Sequence, residues 1–448
     1  MSNPYLVGNF APVRSETSAE DLPVTGSIPR HLDGRYLRIG PNPISAADPA
    51  TYHWFLGDGM AHGVRIVDGA AKWYRSRYVK AGDVAAALGE ERPPGPQHGD
   101  FDFASNTNIV GHAGRTFALV EGGSLPYELS SELETIGACD FDGTLPGGYA
   151  AHPHRDPDTG ELHAVSYYWG WGEKVQYSVL GTDGLIKRTV DIATHGAPMM
   201  HDFSLTERHV VIYDLPVSFN LDVAMTGATQ HYAADSFPYR WNPDYPARVG
   251  AFSRDGDGSD IRWYDVEPCY VFHPLNAYDD GDDIVLDVAR HQKMFATEVR
   301  GPDEGASTLD RWVIDARAGK VLESRLDDRS QEFPRIDERL TGKRHRYGYT
   351  VGFRGATTPG GLLKHDLTNG SSISHDFGEG RLASEFVFVP ADNSKAEDDG
   401  VVMGFVYDQA NDRSDLVMLD AGTLERVAAV HLPVRVPQGF HGNWVATL

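Results

Sequence analysis

Four histidines stand in short runs of similar character: Ala151-His152-Pro153-His154, Met200-His201-Asp202-Phe203, Val271-Phe272-His273-Pro274 and Phe440-His441-Gly442-Asn443-Trp444. Each neighbours proline, glycine, aspartate or a large aromatic, at what reads as a strand end. None has another histidine four residues away, so the helical HExxH type of zinc site is absent. Imidazoles converging from four separate elements would make an all-nitrogen metal site, suited to iron, zinc, copper or nickel. Neutral imidazoles leave the whole charge of a divalent ion on the metal, so carboxylates should take the rings' outer N–H groups. Three glutamates stand among apolar neighbours where a hydrated carboxylate would be out of place. They are Glu121 after Phe117-Ala118-Leu119-Val120, Glu332 before Phe333-Pro334, and Glu385 before Phe386-Val387-Phe388-Val389. The chain has 19 histidines, and a structural role is the ordinary one for any of them singly. His195, His209, His231, His291, His345, His365, His375 and His431 lie in polar or turn-like contexts and are read that way. His53 and His62 flank the turn around Gly57-Asp58-Gly59 and are read as fixing it.

Elements that could bring such distant points together are short strands. Val64–Tyr74 reads as one hairpin and Ile109–Val120 as another. Later turns fall at Asp156–Gly160, Asp183-Gly184, Asp255–Asp260, Asp279–Asp283, Ala318-Gly319, Asn369-Gly370 and Asp399-Gly400. Asp, Asn and Gly supply the positive φ that tight hairpins need. Helix signals are confined to Ala81–Glu91, stopped by Pro93-Pro94, and a partial helix over Leu221–Ala234. So many evenly spaced hairpins predict an all-β chain, a propeller of six to eight four-stranded blades, with a large β-sandwich as the competing arrangement. A propeller that mates its last strand with its N-terminal segment would carry His441 into the interior.

Bulk properties narrow the function. With 40 basic and 64 acidic residues the formal net charge is −24. No basic stripe is available for nucleic acid, and strong attraction to anionic lipid is disfavoured. The two cysteines, Cys139 and Cys269, make neither a disulfide framework nor a cysteine metal site. No run approaches 18 apolar residues. Met1-Ser2-Asn3-Pro4-Tyr5 opens without a basic or apolar leader, so a reduced cytoplasm is the expected location.

The ordered set of motifs resembles the carotenoid cleavage oxygenase family along the whole chain. It includes Leu32-Asp33-Gly34-Arg35-Tyr36-Leu37-Arg38-Ile39-Gly40-Pro41-Asn42-Pro43, Gly57-Asp58-Gly59-Met60 and Asn106-Thr107-Asn108. It continues through the four histidine runs, Glu332-Phe333-Pro334-Arg335-Ile336-Asp337, Ser384-Glu385 and Glu397-Asp398-Asp399-Gly400. The resemblance implies one domain over residues 1–448: a seven-bladed β-propeller with a cap of loops and short helices over the metal face. It implies iron(II) on the axis, held by His152, His201, His273 and His441, with Glu121, Glu332 and Glu385 behind them. His154 matches the motif but is not a family ligand. Thr107 falls near the open coordination position, where a polar residue accords with oxygen chemistry. The activity implied is cleavage of one C=C bond of a conjugated substrate in a tunnel, both carbonyl oxygens coming from O₂.

Relatives that cleave stilbenes and phenylpropenes resemble one another in a lysine just before the first of these glutamates; here Val120 stands there. An apolar carotenoid or apocarotenoid is therefore the expected substrate. A stilbenoid or phenylpropene, and an O₂-independent polyene isomerase, remain the alternatives, and a binding propeller with structural histidines is the non-enzymatic one. Phe101, Phe103, Tyr168, Trp169, Trp171 and Phe272 are candidates for tunnel walls or for packing between blades. Leu215–Met225 places Phe219, Leu221 and Met225 either in a packed loop or at a tunnel mouth suited to peripheral membrane contact.

Overall fold

Two-residue turns set the hairpins. Asp68-Gly69, both at positive φ (52° and 72°), joins Gly59–Val67 to Ala70–Tyr78, and Ala113-Gly114 (50° and 74°) joins Asn108–His112 to Arg115–Leu119. Positive φ at both positions matches the right-handed twist of the flanking strands. In the computed structural model, which describes residues 3–97, 102–227, 232–355 and 358–447, the strands form eight sheets. One is a two-stranded ribbon, Val217–Phe219 with Tyr239–Trp241. The other seven are the blades of a propeller, so the sandwich alternative is excluded.

Numbered along the chain, blade 1 contains Gly34–Pro41, Gly59–Val67 and Ala70–Tyr78, and blade 2 runs from Asn108 to Ala138. Blades 3, 4, 5 and 6 begin at His154, Phe203, Tyr270 and Gln331, and blade 7 is built on Gly400–Asp408. The ring is closed twice. Gly442–Ala446 adds to Gly34–Pro41 as the innermost strand of blade 1, with Arg38 opposite Gly442. Val24–Gly26 adds to Arg426–His431 at the rim of blade 7. Burial follows the radius: nine consecutive residues of the inner strand Tyr270–Asp280 are buried, whereas the rim strand Lys320–Asp327 has none buried. Aromatic and aliphatic side chains fill the spaces between blades, as where Tyr36 of blade 1 meets Phe405 of blade 7 edge to face at 5.0 Å.

Helices are few. α1 spans Gly82–Leu88, shorter than Ala81–Glu91, because Gly89 adopts the left-handed conformation (φ 73°) and ends it before the prolines. α2 spans Leu221–Gly227, and residues 228–231 of the expected partial helix lie outside the described residues, as do His231 and Phe101. Asp399-Gly400 is not a tight turn. It closes the longer connection after Val387–Pro390.

Candidate metal centre

Each histidine of the four runs lies where an inner strand is interrupted. His152 and His201 come two residues before His154–Arg155 and Phe203–Leu205, and His441 immediately before Gly442–Ala446. His273 lies within Tyr270–Asp280, at an irregularity between Val271 and Pro274. Proline has no N–H for the ladder, so such a strand bulges and re-aims its side chains. Glu332 sits at a second such irregularity, before Pro334, in blade 6. Glu385 occupies the gap between Arg381–Ala383 and Val387–Pro390 in blade 7, and Glu121 follows Arg115–Leu119 in blade 2. Blades 1, 3, 4 and 5 thus supply the histidines, and blades 2, 6 and 7 the carboxylates.

The tail is held tightly. His441 N–H donates to the Thr107 carbonyl at 3.1 Å, and Ile39 N–H donates to the His441 carbonyl at 3.1 Å. Two glycines allow this approach: a Cβ on Gly40 would come 2.5 Å from Gly439 Cα.

The four imidazoles are buried, and one nitrogen from each lies within 4.8 Å of all the others. His201 and His273 face each other with Nε2 atoms 3.1 Å apart. Their Nδ1 atoms are bound to Glu121 Oε1 and Glu332 Oε2, both at 2.7 Å, and His441 Nδ1 to Glu385 Oε1 at 3.0 Å. Each carboxylate holds the ring proton on Nδ1, so the Nε2 atoms turn lone pairs toward one another. Two facing lone pairs repel, and His152 Nε2 is buried with no hydrogen-bond partner. A cation among them relieves both conditions, and the donors are those of a borderline transition metal. Burial, reinforced by the neighbouring His201, His441 and His273, pushes His152 well below the usual histidine range. It stays neutral, as a ligand must.

The carboxylates are anchored unequally. Burial would raise Glu385, but His441 and Arg335 outweigh it and bring it to about 2. Gly442 N–H donates to its Oε2 at 2.8 Å. Glu332 accepts from Phe333 N–H on Oε2 and from His291 Nε2 on Oε1, the latter at 3.0 Å. Glu121 Oε2 is buried without a hydrogen-bond partner. His152 has no comparable carboxylate, Asp202 Oδ2 standing 3.9 Å from its Nδ1. His154 is turned away to Asp202 Oδ1 at 2.8 Å.

Two cavities meet the cluster. The larger, about 790 Å³, lies on the cap side and reaches His201, His273, His441 and Thr107. Its walls include Trp54, Phe55, Phe103, Phe237, Phe272 and Phe440, and no lysine or arginine among the described residues. Thr107 donates its hydroxyl to Asn106 Oδ1 at 2.9 Å, which leaves its oxygen free to accept. Of the expected wall residues, Phe103, Trp169 and Phe272 line this cavity, whereas Tyr168 and Trp171 pack against one another, ring centres 5.9 Å apart. The smaller cavity, about 170 Å³, lies among the inner strands and is lined by His152, His273 and His441 with Arg155, Asp202 and Arg335. Of the histidines read as polar or turn-like, His291, His345 and His365 are buried, and His291 lines the large cavity.

The chain has close relatives. The profile of the family described as retinal pigment epithelial membrane protein matches residues 10–446. A carotenoid cleavage oxygenase of Mycobacterium tuberculosis is 51% identical over 490 aligned positions, covering 99% of this chain and 98% of that protein. A carotenoid 9,10(9',10')-cleavage dioxygenase 1 of Arabidopsis thaliana is 34% identical, covering 98% and 89%. Cobalt-substituted apocarotenoid oxygenase of Synechocystis superimposes with a TM-score of 0.86 at 27% identity, covering 97% of each chain. The lignostilbene dioxygenase of Pseudomonas brassicacearum gives 0.88 at 26% identity, covering 99% of each.

Proposed function

The chain belongs to the carotenoid cleavage oxygenases, the family of the retinal pigment epithelial membrane protein, and from that premise we propose the reaction its centre performs. It is a metal-dependent dioxygenase that cleaves a C=C bond of a carotenoid or apocarotenoid, and the metal is iron(II). The observation that carries this reading is the convergence of four buried imidazoles, three of them on the wall of an aromatic cavity. His152, His201, His273 and His441 would hold the ion, with Glu121, Glu332 and Glu385 fixing the outer N–H of three of them. Residues 1–448 act as one domain, since the tail that carries His441 is a strand of blade 1.

Iron(II) supplies activation of O₂, and in the overall reaction one C=C bond and one O=O bond are replaced by two C=O bonds. The protein's share is placement. Phe272 stands against His201 at 5.0 Å, Phe440 precedes His441, and Phe55 packs on both phenylalanines, a set of rings that would press a flat polyene toward the histidines. A buried apolar wall excludes water and sets which double bond lies at the centre. Thr107 is the polar residue at the open side and offers an acceptor oxygen there. The absence of lysine and arginine from the described wall, with Val120 and Glu121 part of it, disfavours a phenolate and hence a stilbenoid substrate.

The polyene reaches the cavity from a membrane surface. Phe219 stacks on Trp169 at 5.1 Å, both line the cavity, and Leu221 and Met225 beside them are 62% and 74% exposed. No helix among the described residues is long and apolar enough to cross a membrane, so the contact would be peripheral.

Aerobic incubation with β-carotene, several apocarotenals and resveratrol, with products identified by mass under ¹⁸O₂, tests the reaction. Label in both carbonyl products of a polyene is expected. Turnover of resveratrol alone would replace the substrate class, and rearranged polyene without label would replace cleavage by isomerisation.

A further inference from the structure

His291 closes the inner end of a blade 5 strand, Asp283–His291, outside the four histidine runs. Its ring is buried, packed edge-on to Phe272 at 5.3 Å. Its Nε2 lies 3.0 Å from Glu332 Oε1, while the other oxygen of the same carboxylate takes the N–H of His273 and of Phe333. A carboxylate only accepts, so the His291 proton is on Nε2 and Nδ1 carries a lone pair. That Nδ1 is buried and has no partner. Leaving a buried acceptor bare is unfavourable. A ring kept there at that cost has its use on the Nε2 side, at Glu332.

We propose that His291 is a positioning residue for the metal centre: its Nε2–H locks Glu332 in the rotamer that holds His273 Nδ1–H, and so sets the aim and basicity of that imidazole. Glu385 has Arg335 and Gly442 N–H in the corresponding place, so the two carboxylates are fixed by different means. The inference rests on the metal-dependent reading above. It extends the chain of support to a residue that touches neither the ion nor the reacting bond.

The test is anaerobic titration of the full-length metal-free protein with Co(II), followed by its visible absorption bands, alongside H291L, H291Q and H291N. Gln places an amide donor near the Nε2 position, whereas the Asn amide ends near Nδ1 and falls short of Glu332. H291L and H291N should bind Co(II) about tenfold more weakly, the lower end for losing an outer partner, with shifted absorption bands. H291Q should recover both toward wild type. Thermal unfolding of the metal-free proteins separates a packing effect. If all three variants lose stability yet bind Co(II) with wild-type affinity and bands, His291 is structural and the proposal falls. If wild-type protein itself takes up no Co(II), the metal reading fails first and takes this inference with it.

Discussion

The two cavities that meet at the histidine cluster are made differently. On the cap side the walls are rings from loops, short helices and the ribbon, with ring-to-ring contacts such as Phe55 on Phe440 at 5.3 Å and Phe237 on Phe295 at 5.1 Å. On the axial side the walls are inner strands whose charges are committed to neighbours. Arg335 reaches Glu338 at 2.6 Å, Asn443 at 2.7 Å and Glu385 at 3.4 Å, and Arg155 donates to the Gly111 carbonyl at 2.7 Å. Apolar contacts are non-directional and tolerate reshaping. A buried charged network tolerates none, because removing one member leaves another unpaired. The axial side therefore serves as frame and the cap side as mould.

Residues shared by both sides should show the largest effect. His441 borders both cavities, pairs with Glu385, and immediately precedes the strand that closes the ring. His441→Ala should abolish both stoichiometric iron and polyene cleavage, as measured by metal analysis and product mass. Full iron and full turnover in that variant would require another centre. Next come the carboxylates. Glu332→Gln or Glu385→Gln should weaken metal binding by about 10–100-fold, read by competition with a chelator. Asp202→Asn should do less, since Asp202 stands 3.9 Å from His152 Nδ1. An equal loss in all three would mean that proximity, not a hydrogen bond to the ring, sets the affinity.

Local grammar made much of this legible before any fold was known. Turn dipeptides such as Asp68-Gly69 and Ala113-Gly114 announce hairpins because few residues take positive φ. The histidine runs stand out because proline and glycine mark the breaks in inner strands. Blade count was less accessible to residue-level reading. The blades carry no strict sequence repeat, and blade 7 borrows Val24–Gly26 from the opposite end of the chain. His291 was hidden for a similar reason. Its neighbours Arg290 and Gln292 are polar, and the carboxylate that gives it meaning lies 41 residues away on another blade. A pairing across blades leaves no mark in a local window.

Arg335 separates frame from mould. Its side chain is 15% exposed, and its partner Glu385 only 2%. Arg335→Met should cost about 3 kcal/mol of stability by leaving that carboxylate with one fewer donor, seen as a lower denaturant midpoint. The ratio of cleavage products should not change, because no cap-side wall moves. Phe55→Leu should do the reverse: a changed product ratio or KM, with iron content retained. A product ratio that follows Arg335 as closely as Phe55 would erase the distinction between the two sides.

The smallest effect on the folded protein is expected at the outer rim of the mould, in α2. Leu221 and Met225 are the most exposed large apolar side chains among the described residues. A Leu221→Ser, Met225→Ser double variant removes no core contact, so its stability should lie within about 0.5 kcal/mol of wild type. Iron content should match as well, since neither residue touches the cluster. What should fall is partition onto neutral phosphatidylcholine vesicles, measured by flotation. Turnover of a vesicle-embedded carotenoid should fall with it, while turnover of the same substrate in detergent micelles is spared. The formal charge of −24 makes neutral lipid the informative choice, because anionic vesicles would add repulsion to any loss of apolar contact. Equal flotation of both proteins would remove α2 from the route of entry and leave the cavity to be filled from solution.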